Sequence, residues 1–286
     1  AGRSSGIGHK IGRRGPAAGE RFVKKRKRGA RSRRKSGLLH TIRKKIERLR
    51  GRHVVHFLHI GKTGGTAIKD ALKPYLKKGP YRIKLHRHES GLAQIPRGSK
   101  VIFFVRDPIS RYVSGFCSRM RQGQPRYFFK WTAREEAAFR EFDTPNKLAL
   151  ALESADPAER KRARRAMRRI RHVRSSLKDW LGGKRYLRSR LDDVFFIGFQ
   201  ESMARDFASL VKKLGLPPHM TLPDDDIRAH RNTLAIDTTL DERARENLHN
   251  WYRRDYEFFE LCKAVAEDVN ADRVPPSAKR RKANAV

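Results

Sequence analysis

The chain has 286 residues, and 68 lysines and arginines against 30 aspartates and glutamates give it a formal net charge of +38. Such a charge predicts a polyanionic partner, but it does not choose among nucleic acid, an anionic polysaccharide, a membrane surface and a multiply charged cofactor. No run approaches the ~18 apolar residues of a membrane helix, so the sequence shows no membrane span.

The apolar residues are distributed unevenly along the chain. Residues 1–37 are rich in glycine, serine and basic residues and have no hydrophobic period, so we expect a disordered tail. The apolar spacing in Leu38–Arg50 predicts a short amphipathic helix that leads into the core. We therefore expect a single domain at 38–269 and a second basic tail at 270–286.

A strand, a glycine-rich turn and the start of a helix follow one another from His53 onwards. The strand residues up to Ile60 are largely apolar and β-branched, and the turn reads GKTGGT from Gly61 to Thr66. Backbone N–H groups in such a turn point to one spot, and a helix N-terminus adds positive potential there. Gly61–Thr66 is therefore predicted to hold a phosphate or a sulfate.

Further strands and helices alternate after this turn. Apolar runs predict strands at Tyr81–Leu85, Lys100–Val105 and Asp192–Phe199. Helical spacing predicts helices at Ile109–Met120, Arg160–Arg174, Glu201–Leu214 and Asp241–Val269. This order predicts an α/β fold, a P-loop-like three-layer arrangement with a central, mainly parallel sheet flanked by helices.

Three polar clusters come directly after predicted strands. They are Gly61–Thr66, His86–Glu89 and Arg106–Asp107. Because ligands of parallel sheets bind beyond the carboxyl ends of the strands, we expect the three clusters to converge.

The turn does not match an ATP-binding P-loop. That motif needs a glycine five positions before the Gly-Lys-Thr step, and His56 stands there instead. Two glycines, Gly64 and Gly65, follow the lysine. The loop is therefore predicted to hold a different phosphate geometry.

The GKTGGT turn resembles the 5′-phosphosulfate loop of the sulfotransferases that use 3′-phosphoadenosine 5′-phosphosulfate (PAPS), most closely the carbohydrate (heparan sulfate/uronyl 2-O-type) enzymes. Val105–Phe116 resembles their 3′-phosphate segment, in which an arginine and a serine eight positions later hold the phosphate. Arg106 and Ser114 have that spacing. Val194–Leu216 and, more weakly, His172–Gly183 resemble later segments of the family.

The resemblance implies PAPS as the donor and no metal. It implies that the 5′-phosphosulfate accepts hydrogen bonds from Thr63, Gly64, Gly65, Thr66 and Ala67. Lys62 would neutralise the charge that grows on the bridging oxygen as the sulfuryl group leaves. Arg106 and Ser114 would hold the 3′-phosphate.

The acceptor hydroxyl needs a base. His86 and His88 follow a strand, and a neutral histidine can take a proton near pH 7. Their His-x-His pattern resembles that of the uronyl 2-O-sulfotransferases, in which a histidine is the base. His88 is our first candidate and His86 the second, with Glu89 as a rival.

Two further segments have open roles. His230-Arg231-Asn232 lies in a polar loop and is a candidate for nucleotide or acceptor binding. The basic helix Arg160–Arg174 could line a groove for an acidic glycan, or it could be a solvated face.

We therefore expect a sulfotransferase that acts on a hydroxyl of a carbohydrate, which could be anionic. A soluble, cytoplasmic and most simply bacterial enzyme is expected, and the sequence leaves open whether a leader precedes Ala1. The alternatives are a nucleotide-dependent kinase or NTPase, and a non-enzymatic protein that binds polyanions. Nucleic acid is the less favoured partner and stays open.

Overall fold

The computed structural model describes residues 53–225 and 236–271. Several expectations lie outside these residues: the tail at 1–37, the helix at Leu38–Arg50, the cluster His230-Arg231-Asn232 and the tail at 270–286 after its first two residues.

A single sheet of four parallel strands forms the centre, in the order β2-β1-β3-β4. Its strands are β1 (His53–Leu58), β2 (Tyr81–Leu85), β3 (Lys100–Val105) and β4 (Val194–Phe199). The run KVIFFV of β3 is almost wholly buried, because β3 pairs on both edges and is covered on both faces.

Ten α-helices are described. They are α1 (Gly65–Leu72), α2 (Pro108–Met120), α3 (Ala133–Glu141), α4 (Pro145–Leu150), α5 (Pro157–Met167), α6 (Leu177–Leu181), α7 (Lys184–Arg188), α8 (Met203–Lys213), α9 (Glu242–Trp251) and α10 (Arg253–Asn270). None of these helices combines the length and the apolar character needed to cross a bilayer.

Alternate residues of each strand pack into different cores, one on each face of the sheet. Phe57 and Phe104 join a core that includes apolar residues of α1 and α8. Leu58 and Phe103 join the opposite core, with apolar residues of α6 and α10. The expected α/β fold, a parallel sheet between layers of helices, is confirmed.

A third core lies away from the sheet and is built mainly by helices. It contains Phe116 of α2, Phe139 of α3, Met167 of α5 and Leu248 of α9, all buried. This helical part carries most of the chain between β3 and β4, so it is a large insertion beside the sheet.

The basic helix ends earlier than the expected Arg160–Arg174. Asp156 caps its N-terminus by accepting from the N–H groups of Ala158 and Glu159, and helix α5 ends at Met167. Residues 168–174 continue as turns. A long-range contact causes this, because the N–H of Arg171 donates to Glu135 of α3 at 3.1 Å.

Two other boundaries differ from expectation. The helical stretch Asp241–Val269 is divided at Tyr252, whose buried hydroxyl donates to the Val173 carbonyl at 2.9 Å. Strand β4 begins at Val194 rather than Asp192, because Leu191–Asp193 form a 3₁₀ turn. The first difference involves a contact between distant parts of the chain, and the second is a local turn.

Candidate active site

The glycine-rich turn follows β1, at the carboxyl edge of the sheet. Its backbone enters the left-handed region twice, at Lys62 with φ 69° and at Gly64 with φ 77°. The Thr63 hydroxyl donates to the Ile60 carbonyl at 2.9 Å and is buried. Thr63 can therefore offer only its backbone N–H to a ligand, while its side chain fixes the shape of the turn.

Helix α1 begins directly after the turn and presents free donors. The backbone hydrogen bond that opens the helix runs from the Ile68 N–H to the Gly64 carbonyl, at 3.2 Å. The N–H groups of Gly65, Thr66 and Ala67 therefore have no acceptor within the helix. The first turn has no acidic residue and its N-cap is a glycine. These features suit an anion, since oriented amides and the helix dipole both favour negative charge.

Both glycines after the lysine are required by their surroundings. A Cβ on Gly65 would collide with the imidazole of His59, and one on Gly64 would collide with the Met203 thioether. The turn therefore packs closely against these two side chains.

Lys62 lies half-buried within this turn. Burial, followed by the nearby cations Arg121 and Arg106, lowers its pKa to about 7. Among the described residues no carboxylate pairs with this ammonium, so an incoming anion would be attracted to it.

Arg106 lies next to the same turn, at the end of β3. Its Nε donates to Ser110 Oγ at 3.0 Å, and its Nη1 reaches the Lys62 carbonyl at 3.5 Å. Ser114 is half-buried one helical turn further along α2, on the face of Ser110. The sequence reasoning missed Ser110, although a serine four positions after the arginine was visible in the motif.

Asp107 connects this segment to two other elements. Its carboxylate caps α2 by accepting from the Ser110 N–H at 2.8 Å, and it accepts from the Tyr256 hydroxyl at 2.9 Å. Its N–H donates to Glu201 after β4, at 2.9 Å. The end of β3 is thus tied to the end of β4 and to α10, which holds Arg106 in place.

His86 and His88 occupy different surroundings after β2. His86 Nε2 lies 2.9 Å from Nδ1 of the buried His56 in β1, and burial followed by Lys84 and Lys69 lowers its pKa. His88 is exposed by 44% and its Nε2 lies 2.9 Å from Glu89 Oε1. The pair His88–Glu89 faces solvent, whereas His86 is held by its neighbour.

Two histidines that the sequence reasoning did not select stand beside His88. His59 lies edge-on to it with ring centroids 5.9 Å apart, and its Nδ1 is buried without a described partner. Burial, then Lys69, His88 and Lys62, lower the pKa of His59 to about 3. The sequence could have indicated His59, because this polar residue directly follows the apolar strand β1.

His172 is the second of these. Its pKa is lowered well below the usual value by burial and by Lys62, Arg171, Arg119 and His88. Its backbone and Cβ pack against Gly115 in α2, next to Ser114, where an added Cβ would come within 3.1 Å. No local pattern indicates this position.

Trp180 joins the segment after β2 to the glycine-rich turn. Its indole Nε1 donates to the His88 carbonyl at 2.6 Å, and its ring lies 3.1 Å from where a Gly61 Cβ would be. The segment His172–Gly183 therefore contributes to the site at both ends, through His172 and Trp180. The three polar clusters that the sequence predicted to converge do meet at this edge of the sheet.

A basic groove adjoins the site. It has a volume of about 800 Å³ and is lined by residues of α3, α5 and the turns after α5. Among all the described residues, no three histidine, cysteine or acidic side chains are arranged to hold a metal ion.

The comparison with protein families gives one match. The model of a family described as the sulfotransferase family matches residues 48–261 of this chain. No match was found among curated proteins.

Proposed function

Because this chain belongs to the sulfotransferase family, we propose that it transfers the sulfuryl group of PAPS to a hydroxyl of a carbohydrate acceptor by in-line displacement. The family supports sulfuryl transfer in general. The donor, the class of acceptor and the roles of individual residues are our proposal.

One observation carries the proposal for the donor. The uncapped start of α1, the half-buried Lys62 and the guanidinium of Arg106 lie at one edge of the sheet. PAPS carries an activated sulfuryl group at one end of an anionic nucleotide and a separate 3′-phosphate. Two anion-binding elements beside each other suit such a molecule better than a mononucleotide with one phosphate chain.

The proposed role of Lys62 follows from its surroundings. Its ammonium is destabilised in the free enzyme and gains a partner when an anion enters the turn. As the bond between sulfur and the bridging oxygen breaks, negative charge grows on that oxygen. We assign Lys62 Nζ to stabilise this charge, since a preorganised cation in a half-buried site is effective there. The N–H groups of Gly65, Thr66 and Ala67 hold the departing phosphate.

His88 is the proposed base. If its Nε2–H donates to Glu89, the lone pair of Nδ1 is free to take the acceptor proton as the new bond between oxygen and sulfur forms. Glu89 then stabilises the resulting imidazolium. In this scheme Glu89, the alternative candidate for the base, supports His88 instead of taking the proton itself. His86 ranks second, because its Nε2 is engaged with His56.

Calorimetry with adenosine 3′,5′-bisphosphate, ATP and ADP tests the donor. We expect the 3′-phosphorylated nucleotide to bind about tenfold or more tightly, since a charged hydrogen bond contributes roughly 1.5–3 kcal/mol. Arg106→Ala is expected to remove this preference, and Arg188→Ala, an exposed arginine of α7, to leave it unchanged. No preference, or an unchanged affinity in Arg106→Ala, would refute the assignment and favour the kinase or NTPase alternative.

Transfer of labelled sulfate from PAPS into a panel of glycosaminoglycans and neutral polysaccharides tests the base. We expect His88→Ala to lose about 10²–10⁴-fold in rate while its affinity for adenosine 3′,5′-bisphosphate is retained. His86→Ala is the matched comparison and is expected to keep most of the activity. A fully active His88→Ala variant would move the assignment to Glu89 or His86.

A further inference from the structure

The basic groove is formed by one face of α5 together with the turns that follow it. Six cations line it along this segment: Lys161, Arg165, Arg168, Arg169, Arg171 and Arg174. From residue 161 to residue 168 the helical rise is about 10 Å, so the row of charges is longer than a single monosaccharide.

The charge in the groove is not balanced by described acidic residues. Arg162 and Arg164 flank the groove face of α5 and are paired, Arg162 with Glu141 at 2.5 Å and Arg164 with Glu153 at 2.8 Å. No carboxylate of the described residues lies within ion-pair distance of the six groove cations. Glu135, the acidic residue of the lining, is itself bound to Arg119. The groove cations are therefore left to attract anions, whereas the two arginines that flank them on α5 are neutralised.

An aromatic strip adjoins these cations. Tyr127, Phe128 and Phe129 are consecutive and are exposed by 44%, 57% and 51%. The guanidinium of Arg171, which lines the groove, lies 5.8 Å from the centre of the Phe129 ring. Three exposed aromatic rings in sequence indicate an interaction surface, because burying them against a partner is favourable.

A single buried ion pair holds the strip and the groove together. Arg119 binds Glu135 through two bonds of 2.7 and 2.8 Å and also donates to the carbonyls of Phe129 and Lys130. Glu135 accepts from the backbone N–H of Arg171. The aromatic strip is thus a fixed part of this surface rather than a loose loop.

The groove leads to the proposed reaction centre. His172 stands in the chain between the groove residues Arg171 and Arg174, and it packs against Gly115 beside Ser114. The charges of Lys62 and His88 act on it. A chain lying in the groove can therefore present a hydroxyl near His88.

We propose that the groove and the aromatic strip bind several units of an anionic sugar chain, which is the acceptor of the transfer. The arginines take its carboxylates or sulfates, for which their planar forks are suited. The rings of Phe128 and Phe129 pack on the apolar faces of the sugar rings. This proposal rests on the proposed function, and it requires that an earlier reaction place acidic groups on the chain.

The test is binding of fluorescent heparin oligosaccharides, a disaccharide and an octasaccharide, with uncharged dextran and single-stranded RNA for comparison. We expect the octasaccharide to bind much more tightly than the disaccharide and dextran not to bind. In Lys161→Ala/Arg165→Ala, affinity for the octasaccharide is expected to fall about tenfold, and the slope of log affinity against log salt to fall by about two.

The aromatic strip gives a different signature. We expect Phe128→Ala/Phe129→Ala to weaken octasaccharide binding about fivefold without changing the salt slope, because apolar stacking releases no counterions. The control is Arg253→Ala/Arg254→Ala, which removes two exposed charges of α10 outside the groove and is expected to change nothing.

Two results would overturn the proposal. One is wild-type octasaccharide affinity in both the groove variant and the strip variant. The other is RNA binding that is as tight as octasaccharide binding and is weakened equally by the same substitutions. The affinity for adenosine 3′,5′-bisphosphate, measured on the same preparations, shows that each variant is folded. Retained nucleotide binding without oligosaccharide binding would refute this inference alone. If the wild-type chain binds the oligosaccharide but does not bind adenosine 3′,5′-bisphosphate, the proposed function is refuted, and with it the role of the oligosaccharide as acceptor.

Discussion

At the scale of single residues, the position of Lys62 in the glycine-rich turn disfavours its charged form in the folded chain. Its ammonium is half-buried near Arg121 and Arg106, which holds its pKa at about 7 against 10.5 for an ordinary lysine. In the unfolded chain the same group stays protonated up to much higher pH. The charged form is therefore penalised in the folded state until an anion arrives.

This predicts a pH-dependent gain in stability for Lys62→Met. The unfavourable charge is fully present below pH 7, and it is relieved as the pH rises from about 7 toward 10.5. Urea unfolding is expected to show the variant more stable than wild type by about 1 kcal/mol or more at pH 6, with a smaller gain at pH 9.5. Lys212→Met, on the exposed face of α8, is the control. An equal or lower stability of Lys62→Met at pH 6 would contradict the burial argument.

The same residue predicts that anion binding takes up a proton. An anion in the glycine turn favours the charged form of Lys62 and raises its pKa, so binding of adenosine 3′,5′-bisphosphate at pH 8 is expected to draw a proton from the buffer. Calorimetry in two buffers of different ionisation enthalpy measures this uptake. Lys62→Met is expected to abolish it, and a buffer-independent enthalpy in the wild type would argue against Lys62 as the responding group.

At the scale of elements, helix α3 connects the aromatic strip to the turns that follow the basic helix α5. Thr132 caps it, and Glu135 in its first turn binds both Arg119 and the backbone of Arg171. Burial alone would raise the pKa of Glu135, but the hydrogen bonds from Arg119, Thr132 and Arg171 bring it down to about 2. The carboxylate is thus strongly preferred in the folded state.

We therefore expect Glu135→Gln to be strongly destabilising. Removing one partner leaves Arg119 buried without compensation, which costs about 3–5 kcal/mol at neutral pH. Since the folded pKa lies below the usual 4.5, the stabilisation is present above pH 4.5 and is lost as the pH falls toward 2. The difference between wild type and variant, measured by urea unfolding, is expected to shrink over that window.

The adjacent Glu136→Gln is the matched control. Glu136 pairs with Arg140 on the exposed side of α3, with side chains exposed by 46% and 78%. Such a surface pair contributes at most about 1 kcal/mol. Comparable losses in the two variants would show that burial is not what makes the Glu135 pair important.

At the scale of the whole molecule, long-range pairs tie the sheet to the helical insertion. Arg111 of α2 and Asp255 of α10 form a buried pair at 2.9 Å, and Asp255 also accepts from the Ser176 hydroxyl at 2.6 Å. This pair joins the end of β3, the segment before α6 and the C-terminal helix. It helps the fold to hold Arg106, His172 and Trp180 in one site.

The net charge of +38 acts on the molecule as a whole. Mutual repulsion among the cations opposes compaction, and salt screens it over a Debye length of about 10 Å at 0.1 M. We expect the melting temperature of the full chain to rise as sodium chloride is increased from low to physiological concentration, while oligosaccharide binding weakens. A melting temperature that falls over this range would mean that attractive ion pairs dominate the balance.

Much of the sheet and of the candidate site around Lys62 and Arg106 could be predicted from the sequence. The strands at Tyr81–Leu85 and Lys100–Val105, the turn around Lys62 and the position of Arg106 at a strand end depend on local patterns. These patterns are apolar alternation, glycines in a turn and a polar residue directly after a strand. Each depends only on residues that are close in sequence. The convergence of the polar clusters followed from the parallel sheet, because its strands end at one edge.

Only the tertiary structure decided the rest. The end of α5 at Met167 depends on an acceptor in α3, and the unbalanced charge of the groove depends on which arginines of α5 meet acidic residues from elsewhere. His59 and His172 enter the site through contacts with Gly65 and Gly115, which no local pattern reveals. Local hydrogen bonding and hydrophobic period are properties of short segments, whereas burial, pairing and pKa depend on residues that folding brings together. The chain alone therefore predicted the turn that would hold an anion, and the fold decided which side chains surround that turn.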